Sequence, residues 1–426
     1  MKRKAGLLLY LALIVGARAG AQGTLQALYP SAYELVYSLF SQGGGDPNEG
    51  MTTFLSTLVP VGGSAESMGM AFTAVADDAS FVDLNPAASA LLSKTQFAFY
   101  HNNWIADTRI EAVVYTMRLG TLGLALSGKW LYLPFSEYDD FAGRIASGYY
   151  SEAIGIANAS LHLFPGYYFY GIALGASAKM AYRSMPDYSD DAGTVTPGSG
   201  GDQSAVAIMA DFGMLTRFNL FKLYSSRDKN FSFGLALKNF GFPVLDEPMP
   251  TVATAGIAYN FFKPILVSAD ISFPINLMDP ALSEDPYWSV GYRMTITDFW
   301  KLQAGLLIKG GNPRISVGAA IDFSPLTLEV NYTLDLTTQF SPLNRMSIEA
   351  RFDMGDLGRA AKATRAEELY LQGLDAYAAG DLELAITYWD ESLRLNPYFD
   401  PARENRDTAV DALALRQRIL ELQRLE

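Results

Sequence analysis

From residue 94 to residue 353 the chain alternates apolar and polar side chains with a period of two, segment after segment. Leu326, Leu328, Val330, Tyr332 and Leu334 alternate with Thr327, Glu329, Asn331 and Thr333. Met346, Ile348, Ala350 and Phe352 alternate with Ser347, Glu349 and Arg351. This period puts successive side chains on opposite faces, the signature of a strand with two different surroundings. Fourteen such segments can be marked, near 94–103, 108–118, 121–133, 150–163, 167–183, 203–218, 229–241, 251–262, 264–272, 286–296, 300–309, 313–322, 324–335 and 344–353. An even number of antiparallel strands suits a single-chain bacterial membrane barrel. A soluble sandwich or propeller alternates in the same way, because its apolar face is buried in a core.

Three features favour the all-β transmembrane barrel of about 14 antiparallel strands. The inward set is rich in Gly, Ala and Ser and still polar. Aromatics gather toward strand ends, at Trp130, Tyr132, Tyr149, Tyr150, Tyr167, Tyr168, Trp288 and Trp300, as a membrane girdle does. The connections also alternate in length. Those after strands three (134–149), five (184–202), seven, nine and thirteen are long; those after two, four, eight, ten and twelve are short, the fourth being Pro165-Gly166. The sixth is moderate and the eleventh is short, against the pattern. Long outer loops and short periplasmic turns put both barrel ends in the periplasm.

Composition agrees. Only 18% of residues are charged, and there are 24 Tyr and 25 Phe, yet no apolar run after the first residues is long enough for a membrane helix. The absence of Cys excludes disulfides and thiolate chemistry, and a net charge of −13 argues against nucleic acid as a partner. The N-terminus reads as a signal peptide, residues 1–21: Lys2, Arg3 and Lys4, an apolar run from Ala5 to Val15, then Ala17-Arg18-Ala19 and Ala19-Gly20-Ala21 as small-x-small cleavage signals. A retained anchor is the alternative.

Between it and the strands, residues 22–93 contain Ser67-Met68-Gly69-Met70-Ala71-Phe72-Thr73-Ala74-Val75-Ala76-Asp77-Asp78-Ala79-Ser80 and Asn85-Pro86-Ala87-Ala88. This resembles the N-terminal signature of the FadL-type outer-membrane transporter superfamily, in its less characterised, PorV-like branch. The resemblance implies a hatch inside the barrel and passive uptake of hydrophobic molecules such as long-chain fatty acids, gated by that hatch. Gly69 suits close backbone approach, Asp77 and Asp78 can anchor to lumen strands, and Asn85-Pro86 favours a turn. These residues either contact a ligand or only fix the hatch fold.

Residues 354–426 switch to helical spacing. Gly373, Gly380, Ala385, Trp389 and Pro397 fall where a tetratricopeptide repeat sets its small residues, large knob and closing proline. With one repeat and a capping helix, this small α-helical module is expected in the periplasm, leaning on the barrel, a second copy or a protein partner. A plain helical tail is the other reading.

No catalytic, phosphate-binding, cofactor or metal motif stands out. The two histidines, His101 and His162, lack a nucleophile motif, so an outer-membrane lipase has no sequence support. Asp139-Asp140 and Asp190-Asp191 fall in expected outer loops as solvated charges or a loose cation site. Lys129, Lys179 and Lys238 fall on the inward face of strands three, five and seven. They either meet a ligand carboxylate, with inward Gly and Ala leaving room for its chain, or pair with Glu111, Glu329, Glu349 or hatch acids. The leading reading is an outer-membrane, FadL-like channel surrounded by membrane lipid; the alternative is a scaffold or secretion-associated barrel that binds proteins through its tail.

Overall fold

The structure, a computed structural model, describes residues 46–104, 108–138, 143–187, 194–226, 228–309, 312–335 and 345–425. The expected signal peptide, residues 22–45 and the Asp139-Asp140 and Asp190-Asp191 pairs lie outside them. The described residues form a closed antiparallel barrel of 14 strands in which each strand pairs with its sequence neighbours and the first pairs with the last. The strands are β1 (Gln96–Asn103), β2 (Arg109–Leu119), β3 (Leu122–Tyr138), β4 (Arg144–Leu163), β5 (Ile172–Ser184), β6 (Ala205–Phe218), β7 (Phe231–Gly241), β8 (Thr251–Phe262), β9 (Ile265–Ile275), β10 (Tyr287–Thr297), β11 (Trp300–Lys309), β12 (Asn312–Asp322), β13 (Leu326–Asp335) and β14 (Arg345–Asp353). Closure leaves no open edge, so the backbone polar groups are paired within the wall, as a spanning structure in lipid requires.

The two faces decide between lipid and water. Ser127, Lys179, Asp211, Asn331 and Glu349 point inward and are buried. Leu126, Met180, Ile208 and Phe212 point outward, with Ile208 70% exposed. A soluble sandwich has the reverse arrangement, and a continuous apolar exterior of this kind suits hydrocarbon.

Both ends of the barrel chain lie at one rim, here the tail end; the opposite rim is the loop end. Two connections differ from their expected lengths. β3 and β4 continue pairing out to Tyr138↔Arg144, so most of 134–149 is strand rather than loop. The fourth connection is longer than Pro165-Gly166, because β5 begins only at Ile172 and residues 164–171 form a turn bearing Tyr167, Tyr168 and Tyr170.

The lumen is filled by residues 46–95, folded as a one-turn helix (Ser64–Ser67) and 3-10 turns at Leu55–Leu58, Ala79–Asp83 and Pro86–Leu91. Met68, Phe72, Phe81 and Leu84 of this hatch form a buried cluster with Ala125, Ala173 and Leu215 of the wall. Wall glycines seat its backbone. A Cβ on Gly305 would lie 2.0 Å from the Gly69 nitrogen, one on Gly175 2.2 Å from the Pro86 oxygen, and one on Gly234 2.4 Å from the Thr73 oxygen. The space expected for a ligand chain beside inward glycines is therefore occupied at these positions by the hatch.

The tail has helices α1 (Arg359–Ala378), α2 (Leu382–Leu395) and α3 (Asp400–Leu425). It rests on the turn after β4. Tyr167 donates its backbone N–H to Asp400 at 2.9 Å, the Tyr168 hydroxyl donates to Glu404 at 3.0 Å, and the Tyr167 and Phe399 rings lie 5.6 Å apart. Arg359 ties the start of α1 to the carbonyl of Arg118 at 2.6 Å and that of Ser93 at 2.6 Å.

Candidate functional site

The hatch divides the lumen. Toward the loop end a cavity of about 600 Å³ remains between hatch and wall. Phe54, Leu58, Met70, Leu84, Leu131 and Leu307 give it an apolar surface, while Glu66, Arg183, Lys238, Arg314 and Arg345 bring charge to its edges. Toward the tail end lies a polar recess of about 140 Å³, bounded by Asp77, Asp78, Arg293, Glu329 and Arg351.

The three lysines all reach the interior and are buried. Lys129 is held by the hatch: its ammonium lies 3.1 Å from Asp83 and donates to the Val59 carbonyl at 2.7 Å. Lys179 pairs with Asp211 at 2.6 Å and donates to Asn239 at 3.1 Å. Lys238 makes no ion pair or hydrogen bond among the described residues, and it lines the cavity. The difference has a local cause. Between Ala210 and Phe212 the β6–β7 register shifts, so Lys238 and Asn239 together oppose Asp211, whose carboxylate accepts from the Asn239 N–H at 2.7 Å. A bulge re-aims side chains next to it, and here two consecutive residues, Lys238 and Asn239, are both buried.

Of the partners expected for the lysines, a hatch acid is found, Asp83 on Lys129, and the three glutamates are not. Glu111 is not inward: it faces outside on β2, bonded to His101 across the strand pair at 2.8 Å, because Ile110, Ala112 and Val114 take the inner positions. Glu329 and Glu349 are inward and serve other groups. Glu329 accepts from Ser64 and Ser67 of the hatch, both at 2.9 Å, and Glu349 pairs with Arg351 at 2.8 Å. Tyr150, expected in the aromatic girdle, is on the inward phase of β4; its hydroxyl donates to Glu152 and it lines the cavity.

The hatch residues hold the segment against the wall. Gly69 has φ +61° and approaches β11 closely, where an added Cβ would lie 2.7 Å from the Leu306 nitrogen. Asp77 pairs with Arg293 at 2.6 Å and Asp78 with Arg351 at 3.1 Å. Asn85 donates to the Thr73 carbonyl at 2.8 Å and the Met214 carbonyl at 3.1 Å, while its Oδ1 caps the turn begun by Pro86. Arg293, Arg351, Arg345, Glu66, Asp83, Asp211 and Asp270 are site residues that the sequence reading did not single out. Their inward phase on the strands was the available signal for Arg345, Arg351, Asp211, Asp270 and Arg293. Nothing periodic marked Glu66 or Asp83.

In the tail, three of the residues matched to a repeat, Gly373, Ala385 and Trp389, lie inside the helix pair, while Gly380 and Pro397 are exposed at its turns. Trp389 is 1% exposed; its indole donates to the Tyr370 carbonyl at 3.1 Å and covers Gly373. Ala385 is fully buried, Gly380 turns the chain at φ +83°, and Pro397 follows the end of α2. Gly373, Ala385 and Trp389 pack the module internally, so a partner would meet other side chains of the tail.

Comparison with known proteins adds a family. The model of an uncharacterised protein family (UPF0164) matches residues 36–355. A UPF0164 protein of Treponema pallidum (strain Nichols) is 30% identical over 398 residues, covering 89% of this chain and 88% of its own length. A second from the same organism is 23% identical over 395 residues, covering 84% and 76%. Among solved structures, the CymD monoaromatic hydrocarbon channel aligns with a TM-score of 0.46 at 13% identity, over 70% of this chain and 98% of that one. A TodX monoaromatic hydrocarbon channel mutant aligns with a TM-score of 0.43 at 12% identity, over 68% and 97%. These structural likenesses are too distant to carry over what those barrels do.

Proposed function

This chain belongs to the uncharacterised protein family UPF0164, and on that premise we propose that it is an outer-membrane channel for passive uptake of hydrophobic small molecules such as long-chain fatty acids. The observation that carries the reading is the cavity of about 600 Å³ above the hatch, largely apolar, lined by Lys238, which makes no hydrogen bond or ion pair among the described residues although the carboxylates of Asp211, Asp83 and Asp270 lie within electrostatic range. Ligand sites of this size pair an apolar surface with a few placed polar groups. A fatty acid would lay its chain against Met70, Leu84 and Leu307 and bring its carboxylate to Lys238. Lys129 and Lys179 would take no part, since each already holds a carboxylate. The apolar exterior seats the barrel in membrane lipid, and the tail would lie on the periplasmic side. Release toward the tail end would require the hatch to shift away from the β10–β14 wall, where the Asp77–Arg293 and Asp78–Arg351 pairs hold it.

The test is a titration of the refolded full-length mature protein in detergent with a long-chain fatty acid, beside Lys238→Met and Lys238→Arg. Saturable binding weakened about tenfold in the Met variant and restored by Arg is expected, one charge-assisted hydrogen bond being of that order. A folded barrel that binds nothing would overturn the reading. A second reading, a scaffold that binds proteins through a tetratricopeptide-like tail, is favoured by one feature: Leu415, Ile419 and Leu422 follow each other along α3 and are exposed.

A further inference from the structure

We infer that two copies of this chain pair in the membrane through the free end of α3, as a short parallel coiled coil. The inference goes beyond the uptake reading and does not depend on which ligand the barrel takes. α3 is 26 residues long and its neighbour α2 only 14. The first half of α3 is packed: Ala402 and Ala409 are buried in the tail's core with Trp389, and Arg406 pairs with Asp390 at 2.6 Å. The short 396–399 connection makes α2 and α3 antiparallel. With Arg406 opposite Asp390, residue 414 lies opposite Leu382, where α2 begins. Past that point α3 overhangs, and residues 414–423 are all exposed. α1 and α3 both begin at the tail-end rim, Arg359 on Arg118 and Asp400 on Tyr167, so the overhang is at the far end of the tail from the barrel.

The overhang carries a seam. Ala412, Leu415, Ile419 and Leu422 follow at intervals of three, four and three, the a/d spacing of a coiled coil, and Leu415, Ile419 and Leu422 are 60%, 47% and 65% exposed. At about 100° per residue this seam lies on a different side of the helix from Ala402 and Ala409, which pack on α2. Leu420 is also exposed, but it continues that packed row and stands off the seam. A β-branched residue at a with leucine at d favours two parallel strands, and Ile419 stands at a between Leu415 and Leu422 at d. The flanking charges agree. In the parallel register Asp411 faces Arg416 of the second copy, twice by symmetry, and Arg418 faces Gln423. Asp411 and Arg416 are exposed and make no ion pair among the described residues. An antiparallel pair would set Arg416 against Arg416 and Arg418 against Arg418. Insertion agrees too: copies in one membrane share one orientation, so their α3 helices point the same way. Two heptads bury less than the roughly 1,200 Å² of a stable free interface, so the pairing relies on confinement in the membrane to raise the effective concentration.

The chain has no cysteine, so one introduced thiol reports alone. The full-length mature protein is inserted in phospholipid vesicles and oxidised with copper phenanthroline. Ile419→Cys is expected to form a disulfide dimer about tenfold faster than Gln417→Cys, which stands on the far side of the same helix, because a parallel pair brings each seam position against itself. Asp411→Arg added to Ile419→Cys should slow the disulfide about fivefold, as the loss of two exposed ion pairs would, and Arg416→Asp added to both should restore it. These substitutions fall on the exposed overhang, outside the tail's core. Equal rates for Ile419→Cys and Gln417→Cys would mean random collision and overturn the pairing, as would a slowed rate that the charge exchange fails to restore. Ile419→Cys shielded from a water-soluble maleimide without forming the disulfide would put the seam on lipid and overturn it. Ile419→Cys open to maleimide and slow to oxidise would leave the seam to the protein partner of the scaffold reading and overturn it as well. None of these outcomes bears on ligand binding in the barrel, so the uptake reading stands or falls separately.

Discussion

In the barrel, Lys179, Asp211, Glu329 and Glu349 are buried while Leu126, Ile208 and Phe212 are exposed; in the tail, Ala385, Trp389 and Phe399 are buried while Glu391 and Arg394 are exposed. The same chain thus carries two opposite polarities. The tail is an ordinary water-soluble helix packing, with its indole and phenyl rings inside. The barrel presents large apolar residues outward and turns its charges inward, some to the hatch and some, as in Lys179–Asp211, to each other. What holds each unit together also differs: ion pairs, glycine seats and hydrogen bonds beside an apolar hatch cluster inside the barrel, mainly apolar knobs in the tail. Each unit should therefore fail to a different substitution, and neither failure should spread far.

The largest expected effect is in the barrel. Arg351 serves Asp78 and Glu349 at once, at 3.1 and 2.8 Å. Arg351→Met leaves two buried carboxylates without their cation and should cost about 3–5 kcal/mol of barrel stability. The check is the urea midpoint of the folded barrel in detergent, followed by heat-modifiable gel migration, with Arg351→Met/Asp78→Asn recovering part of the loss. Next comes Trp389→Ala. It empties the tail's core, costs about 3 kcal/mol, and should unfold the tail while the barrel keeps its migration. If Trp389→Ala also loosened the barrel, the two units would be one cooperative body and the comparison would break.

Smaller effects sharpen it. Gly69→Val forces a branched residue to φ +61° and into β11, an expected cost of about 1–3 kcal/mol, read as faster protease cleavage of the hatch in an otherwise intact barrel. Asp400→Ala removes the acceptor of the Tyr167 N–H and should cost under about 1 kcal/mol, seen as faster amide exchange in residues 164–171. The smallest concerns the loop end. Asp187 accepts from the amides of Gly198 and Gly200, and these bonds hold its carboxyl below the usual carboxylate range. A lowered folded value means this contribution is complete above the ordinary carboxylate value and is lost only as pH falls through the lowered one. Amide exchange of Gly198 and Gly200 should stay slow down to about pH 4, and Asp187→Asn should abolish that dependence.

Much of the wall was legible because a period of two is a strong signal and fourteen repeats of it are hard to mistake. Its failures were failures of phase and of neighbours. At Glu111 and Tyr150 a shift of one residue exchanges inside and outside, so a misjudged phase moved both to the wrong face. The lengths of β3 and β4 were missed because Gly, Ser and Asp near 134–149 read as loop, whereas strand pairing continues through most of that segment. The hatch carried no periodicity, so the pairing of Lys129 with Asp83, 46 residues away, could not be read from spacing. Nor could the bulge that separates Lys238 from the other two lysines, since it arises from the mismatch of two strands. The tail was the reverse case. Gly373, Gly380, Ala385, Trp389 and Pro397 are local, and the small residues and the large ring meet within two adjacent helices.

The central claim is that the cavity above the hatch receives the ligand. The most direct measurement is photo-crosslinking of the full-length protein with a diazirine-bearing fatty acid, followed by peptide mapping. The account predicts labels on the segments carrying Met70, Leu84, Trp104 and Leu307, competed by unlabelled fatty acid and reduced in Lys238→Met. Labels confined to outward residues such as Leu126, Met180 and Ile208, and not competed, would contradict it.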